Sequence, residues 1–182
     1  MIDRAYLLGH VLPAALGLLP ERMGGPLAEV NLLAIGWQES RLTHRWQLGR
    51  NVLSRAMHLR GPARGLWQFE KVGVGGVLTH RASAAAAAAV CAALNYQADV
   101  ATVHGAVAHN DVLACAFARL LLWTHPDPLP RASEDAAAAA WDYYLALWRP
   151  GRPHPETWPE AHATALRLAG ERPVVEAASK PV

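Results

Sequence analysis

Apolar side chains recur at helical spacing in the stretch LAEVNLLAIGWQESRL, residues 27–42. Because a helix has about 3.6 residues per turn, one face of this stretch collects the apolar side chains and is predicted to be buried. That face consists of Leu27, Val30, Leu33, Ala34 and Trp37. Glu39 follows two residues after the last of them, where the helical pattern ends and an irregular segment begins.

The rest of the chain also favours helices. Alanine and leucine dominate, isoleucine occurs only at positions 2 and 35, and no strand-like alternation is sustained. Because Ala and Leu lose little entropy in a helix, the fold is predicted to be mainly α. The predicted helices are Ala5–Leu19, Leu27–Leu42, Ser83–His104, Asp111–Thr124, Ser133–Leu147 and Pro159–Ala169.

Two segments interrupt the helical pattern. Residues 43–70 are irregular, with tryptophans in and beside them, and residues 149–159, RPGRPHPETWP, carry too many prolines to be helical throughout. A long irregular stretch inside a compact helical domain is usually functional or disordered. The composition of residues 43–70 favours function.

Chain length, composition and net charge limit the classes of function that the protein can have. The 182 residues suffice for one domain, predicted to span residues 1–170 and to be followed by a tail, residues 171–182. With 52% hydrophobic and 18% charged residues, the chain has a large core available and is not wholly disordered. The net charge of +2 lacks the concentrated basic stripe of duplex binders, so no nucleic-acid partner is predicted. A weak attraction to an anionic surface, such as a bacterial cell wall, is allowed.

The cysteines, the histidines and the N-terminus indicate neither a cofactor nor a membrane span. Cys91 and Cys115 lie within apolar helical patterns and are predicted to be small buried side chains, with a disulfide left open. The nine histidines match no metal-ligand spacing, so no metal and no other cofactor is predicted. Residues 6–19 are apolar but interrupted by Gly9 and Pro13, which favours a packed first helix over a signal or anchor. The protein is therefore expected to be made in the cytosol without its own export signal.

Glu39 has the setting of a general acid. A carboxylate at the C-terminal end of a helix meets the negative end of the helix dipole, and an aromatic-lined cleft would desolvate it. Both effects disfavour the charged form and raise its pKa, so that the group keeps a proton near neutral pH and gives it to a leaving-group oxygen. The alternative is a surface carboxylate paired with Arg41 or Arg45.

Two motifs connect this acid to known enzymes. QES at residues 38–40 and GPARGLWQF at residues 61–69 together resemble the paired signature of soluble lytic transglycosylases and goose-type lysozymes. In those families a catalytic Glu followed by Ser ends a buried helix, and a Gly-Leu-Met-Gln turn comes later. Here GLWQ at residues 65–68 has Trp in place of Met, and the resemblance covers residues 27–76. It implies a lysozyme-like helical domain with an irregular active-site segment.

The resemblance implies a role for each matching residue. Glu39 would be the catalytic acid, and Ser40 would support its carboxylate or a sugar substituent by hydrogen bonding. Gln68 would line the cleft and bind the substrate's N-acetyl sugar. Gly65 would provide a turn with unusual φ or a close backbone approach. The alternatives are local capping and turn hydrogen bonds for Ser40 and Gln68, and an ordinary loop glycine at Gly65.

Glu70 is the candidate second carboxylate. Goose-type lysozymes tend to carry an Asp two residues after the motif's Gln, followed by Lys, and this chain has QFEK at residues 68–71. A carboxylate across the cleft would activate water on the opposite face of the sugar and make the enzyme an inverting hydrolase. Without such a group, the substrate's own hydroxyl would close a 1,6-anhydro ring. Because Glu70 paired with Lys71 or Arg64 in solvent is the alternative, the choice between lysozyme and transglycosylase stays open.

The tryptophans suit a sugar-binding cleft. Their flat rings stack on sugar C–H faces, and the indole N–H bonds hydroxyls. Trp46 and Trp67 lie in or beside the motifs and are the predicted substrate-binding residues. Trp158 in the proline-rich connector is left open. Those at helical spacing are predicted to be core residues: Trp37, Trp141 and Trp148.

One part of the family signature is missing. The families usually place a Tyr-Asn-Ala-Gly segment at the end of a later helix, with its Tyr bonded to the catalytic Glu, whereas this chain has WTHP at residues 123–126. Thr124 or His125 would have to replace that hydrogen bond, or Tyr143 or Tyr144 would have to reach in from the next helix. The residues leave these alternatives open, although a His before Pro is more often a helix-end residue than a catalyst.

These features predict a monomeric peptidoglycan-degrading enzyme. It would cleave the β-1,4 bond between N-acetylmuramic acid and N-acetylglucosamine, as a lytic transglycosylase or an inverting muramidase, with glycan strands as its partner and no stable membrane insertion. The compact size and missing export signal suggest a bacteriophage or prophage product, an endolysin or a virion component, acting on the periplasmic wall. The alternative is a non-catalytic peptidoglycan-binding or virion structural protein with a degenerate lysozyme-like fold.

Overall fold

The computed structural model describes residues 3–47 and 61–171. Over these residues the protein is mainly helical and forms only isolated β-bridges, as the composition predicts. Helix α1 is continuous through Arg4–Tyr6, a π-helical turn Leu7–Val11, and Leu12–Gly17. The others are α2 Pro26–Ser40, α3 Lys71–Thr79, α4 Ala84–Ala93, α5 Val100–Ala106, α6 Asp111–Trp123, α7 Ala137–Trp148 and α8 Trp158–Gly170. Short 3₁₀ turns occur at Glu21–Met23, Glu134–Ala136 and Pro155–Thr157.

Helices α2 and α6 form the centre of the core. Every side chain from Ala28 to Gly36 is buried, so α2 is covered on all sides and not on one face alone. It packs most extensively on α8 and also contacts α6, which is buried from Leu113 to Leu122. A helix buried all round needs close-packed neighbours, and this packing places the C-terminal end of α2, with Glu39, among several other elements.

The N-terminal helix and the cysteines behave as predicted. Leu7, Leu8 and Val11 are buried, and α1 packs on α6, so the first helix is part of the core. Cys91 and Cys115 are both buried and unpaired. Among the described residues, no helix is both long and apolar enough to cross a membrane.

The single helix predicted over Ser83–His104 is wrong. The chain forms α4 and α5 instead, because Asn95 adopts a left-handed φ of 60° that no helix continues through. Asp99 then starts α5, where its side chain accepts a hydrogen bond from the Thr102 N–H.

Helix α3 was not predicted from the sequence. It occupies Lys71–Thr79, whose three glycines have a poor helix propensity. Val74 and Val77 are fully buried in the core, and this burial outweighs the cost of the glycines. The segment that precedes it, predicted to be irregular over residues 43–70, is non-helical at residues 43–47 and 61–70, and its middle lies outside the described residues.

Candidate active site

Glu39 lies in the last turn of α2, just before the chain reverses. Arg41 and Leu42 both have left-handed φ, 54° and 49°, which ends the helix sharply. The N–H of Arg41 donates to the carbonyl of Trp37 at 2.9 Å, and the N–H of Leu42 donates to that of Gly36 at 3.2 Å. The Glu39 side chain is half-buried at this end.

Residues 64–69 form a tight turn beside the end of α2. Arg64 and Phe69 exchange backbone hydrogen bonds of 2.9 and 2.7 Å, which close a four-residue loop between them. Within the loop, Gly65 has φ 74° and Gln68 has φ 49°. A Cβ at position 65 would come within 2.5 Å of the Val107 carbonyl oxygen, so the glycine allows a close backbone approach. We call residues 65–68 the GLWQ turn.

The GLWQ turn is anchored to α2 by side-chain hydrogen bonds to backbone carbonyls. The Trp67 indole donates to the carbonyl of Leu32 at 2.8 Å, and the Ser40 hydroxyl donates to that of Leu66 at 2.7 Å. Gly36 makes room for the Leu42 side chain and for the indole, since a Cβ there would overlap Leu42 and lie 3.2 Å from the indole Nε1. These contacts bring the two sequence motifs together at one end of the core.

Tyr144 of α7 holds the Glu39 carboxyl group. Its hydroxyl donates a 2.6 Å hydrogen bond to Oε1 of Glu39 across 105 residues of sequence. The pKa of Glu39 is raised to about 7: burial raises it most, the Tyr144 hydrogen bond lowers it, and the nearby Glu70 charge raises it. The pKa of Tyr144 is raised by burial and by the Glu39 charge, so its hydroxyl stays a donor. Glu39 is therefore a carboxyl group that exchanges its proton near neutral pH.

Tyr144 belongs to an aromatic cluster formed by α7 and α8. The cluster consists of Trp141, Tyr144, Trp148 and Trp158. The Tyr144 ring stacks on Trp158 with centroids 5.4 Å apart and planes inclined by 17°. The Trp148 indole donates to the Trp67 carbonyl at 3.0 Å, so the cluster contacts the GLWQ turn as well as the acid. This packing restricts the Tyr144 ring and so fixes the direction of its hydroxyl.

Arg41 and Arg45, the two arginines considered as partners of Glu39, pair with other carboxylates. Arg41 pairs with Glu160 at 2.9 Å, and Arg45 makes a two-point ion pair of 2.8 and 2.6 Å with the buried Asp111. The alternative in which Glu39 is a surface carboxylate paired with Arg41 or Arg45 is therefore wrong.

Several residues that were predicted to bind substrate make contacts within the protein instead. Trp67 is fully buried and offers no ring face for stacking, which corrects its predicted role. Ser40 is buried and donates to the Leu66 and Gly36 carbonyls, the local bonding that was its alternative interpretation. Gly65 makes the close backbone approach that the motif implies. The half-buried Gln68 donates through its amide nitrogen to the carbonyls of His44 and Gly65.

Trp46 and Glu70 lie near the surface of the same region. Trp46 is half-buried, and the guanidinium of Arg64 covers its ring with 5.1 Å to the centroid. Glu70 is exposed immediately before α3, close enough for its charge to raise the pKa of Glu39. Both residues keep the roles predicted for them as hypotheses.

Four residues were candidates for the hydrogen bond that a tyrosine of the family signature makes to its catalytic Glu: Thr124, His125, Tyr143 and Tyr144. Thr124 donates to the Leu121 carbonyl, His125 packs on the ring of Tyr143, and the hydroxyl of Tyr143 donates to the carbonyls of Leu122 and Asp127. Only Tyr144 among these candidates contacts Glu39. Its spacing offered a signal, because residues 141, 144 and 148 lie on one face of a helix with two tryptophans.

Three tryptophans predicted to be core residues are half-buried and pack against the hydrophobic core: Trp37, Trp141 and Trp148. Trp158, whose role the sequence left open, is buried.

The described residues contain no group of three or more His, Cys, Asp or Glu side chains that could hold a metal ion. No protein-family model, no curated protein and no solved structure shows significant similarity to this chain.

Proposed function

We propose that this protein is a peptidoglycan-cleaving glycosidase in which Glu39 is the general acid. The observation that carries the proposal is the half-buried carboxyl group with a pKa of about 7, bonded to Tyr144 and adjacent to the GLWQ turn. A general acid works best when its pKa lies near the working pH, because it is then both protonated and able to release the proton.

The hydrogen bond from Tyr144 supports different roles for the two carboxyl oxygens of Glu39. Tyr144 occupies Oε1 as a donor, which leaves Oε2 to carry the acidic proton. That proton passes to the glycosidic oxygen as the bond from the sugar C1 breaks and positive charge develops on the ring. The resulting carboxylate of Glu39 then lies next to the cation and stabilises it.

The second step depends on Glu70 or on the substrate itself. If Glu70 removes a proton from water, the water adds to C1 and the product has a reducing end. If instead the substrate's own hydroxyl adds to C1, its proton returns to Glu39 and the product is a 1,6-anhydro sugar. The exposure of Glu70 in front of α3 leaves it accessible to water, which is a requirement of the first route.

Purified sacculi provide the direct test. The wild-type protein is expected to release soluble disaccharide-peptide fragments, and mass spectrometry of their ends assigns the second step. If Glu70→Gln forms reducing ends at the wild-type rate, Glu70 is not the base. Protein that sediments with sacculi and releases no fragment would contradict the proposal and support the non-catalytic wall-binding alternative.

We expect two substitutions to move the alkaline limb of the pH–activity profile in opposite directions. Tyr144→Phe removes a donor to the Glu39 carboxylate and should raise the midpoint by about one pH unit, the strength of a charge-assisted hydrogen bond. Glu70→Gln removes a nearby negative charge and should lower the midpoint. The measurement is initial clearing rate between pH 5 and 9 (about two units on each side of the acid's pKa).

Tyr143→Phe is the matched control, because that hydroxyl contacts the Leu122 and Asp127 carbonyls and not Glu39. Its limb should coincide with that of the wild type. Shifts of Tyr144→Phe and Glu70→Gln in the same direction would contradict this assignment of the limb to Glu39.

A further inference from the structure

A cavity lies at the opposite end of α2 from Glu39. It has a volume of about 520 Å³ and is bounded by the N-terminus of α2, the C-terminal end of α6 and the loop that follows α6. Its apolar wall includes Leu122, Trp123 and Leu129. Gly25 and Glu39 are separated by 14 helical steps, roughly 20 Å, so this cavity is separate from the candidate active site.

The polar feature of the cavity is a buried guanidinium. Arg119 is only 2% exposed, and its Nε donates to the Met23 carbonyl, but its Nη1 is buried and without a hydrogen-bond partner. Among the ion pairs of the described residues, none includes Arg119. Burial lowers its pKa to about 10, which still leaves it charged at neutral pH. A buried cation without a counter-charge is costly, and an anion in the cavity would offset that cost.

Arg22 and the N-terminus of α2 are two further positive groups at the cavity. Arg22 lies over the Trp123 ring at 5.8 Å, and Arg119 lies over the same ring at 5.0 Å, so the two guanidinium groups converge on one indole. Helix α2 begins at Pro26, and Gly25, the residue before it, provides no side-chain cap. Its first N–H groups therefore lack intrahelical acceptors and form the positive end of the helix dipole.

The negative charge at the cavity is peripheral. Asp127 also lines it, but its side chain is 76% exposed and lies 3.8 Å from the ring of His125. Solvent therefore screens this carboxylate, whereas Arg119 is shielded from water. The cavity therefore combines a buried positive charge with apolar walls.

We propose that this cavity is a binding site for a carboxylate carried on an apolar body. The carboxylate of the ligand would accept hydrogen bonds from Arg119 and Arg22. The apolar part of the ligand would pack against Leu122, Trp123 and Leu129. Guanidinium groups bind planar carboxylates through two parallel hydrogen bonds, and the surrounding apolar surface favours an organic anion over a bare inorganic one. This site is independent of the chemistry at Glu39.

Benzoate is the probe, and neutral benzamide has nearly the same shape. We expect benzoate to saturate a site that shifts the Trp123 indole NMR signal, with benzamide and inorganic phosphate binding at least about tenfold more weakly. Equal binding of benzoate and benzamide would overturn the proposal, as would no saturable benzoate binding. Phosphate binding more tightly than benzoate would also overturn it, because the site would then select a bare anion.

Variants separate recognition from packing. Arg119→Met and Arg22→Gln should each weaken benzoate binding roughly tenfold or more, the loss of a hydrogen bond between charged groups. Since Arg119 contributes to the core, the exposed Arg22 gives the decisive variant, and it should keep the wild-type melting temperature. Arg167→Gln, on α8 and paired with Glu171, is the control that removes one charge and should retain affinity. An unchanged affinity in Arg22→Gln would overturn the proposal.

Discussion

Replacing Glu39 by Gln is expected to slow the clearing of chloroform-treated Gram-negative cells or isolated sacculi at least ~100-fold, the contribution of a general acid. Gln keeps the size of the side chain and still accepts the Tyr144 hydrogen bond, but it has no acidic proton to give. The measurement is the fall in turbidity at pH 6, where most of the wild-type Glu39 is protonated.

The same variant should be more stable than the wild type at alkaline pH. Because burial raises the pKa of Glu39 from 4.5 to about 7, the folded state binds more protons than the unfolded state between these values. Wild-type stability therefore falls as the pH rises through this window, by about 1–3 kcal/mol. Glu39→Gln lacks this loss, so urea denaturation should show a gain at pH 8 and little gain at pH 4.

Glu134→Gln is the control for both measurements, since Glu134 is exposed in the 3₁₀ turn Glu134–Ala136. It removes one carboxylate and should leave the clearing rate and the pH dependence of stability as they are. Equal clearing by Glu39→Gln and the wild type would eliminate Glu39 as the acid. A stability gain that is the same at pH 4 and pH 8 would contradict the raised pKa.

Gly65→Ala is expected to reduce the free energy of unfolding by about 2–5 kcal/mol. The residue has φ 74°, which costs an alanine about 1–2 kcal/mol, and the new Cβ would lie 2.5 Å from the Val107 carbonyl oxygen. Because that atom belongs to the backbone, relief requires the GLWQ turn to move away from the residues that follow α5. Urea denaturation at pH 7 measures the loss, and the clearing rate should fall with it.

Gly76→Ala is the matched control in the neighbouring helix. Gly76 lies in α3, and a Cβ there meets nothing within 4 Å. The alanine should stabilise the protein by about 0.4–1 kcal/mol, since it reduces the entropy of the unfolded chain. A Gly65→Ala protein as stable as the Gly76→Ala protein would show that the turn does not require glycine.

The helical fold was predictable because its main cause is local. Runs of Ala and Leu favour helices in any context, and the bounds of α2, α6, α7 and α8 follow those runs closely. Helix α3 was missed because its cause is remote: Val74 and Val77 are buried by α5, α6 and other elements that the local pattern does not reveal. The division of α4 from α5 depends on the backbone conformation of a single residue, Asn95.

The candidate site was predictable in its motifs and not in its supporting contacts. Glu39 and the GLWQ turn were recognisable from residues close in sequence. The burial of Trp67 depends on the space beside Gly36 and on the Leu32 carbonyl, both about 30 residues away and on another element. A tryptophan in a loop has the same appearance in the sequence whether it stacks on a ligand or fills a core.

The hydrogen bond between Tyr144 and Glu39 has a consequence for protein synthesis. Glu39 leaves the ribosome with α2, but the helix whose Tyr144 donates to it comes more than 100 residues later. Until α7 has emerged and docked, Glu39 lacks the hydrogen bond from Tyr144. The hydrogen bond that orients the Glu39 carboxyl group thus forms only after more than 100 further residues have been synthesised.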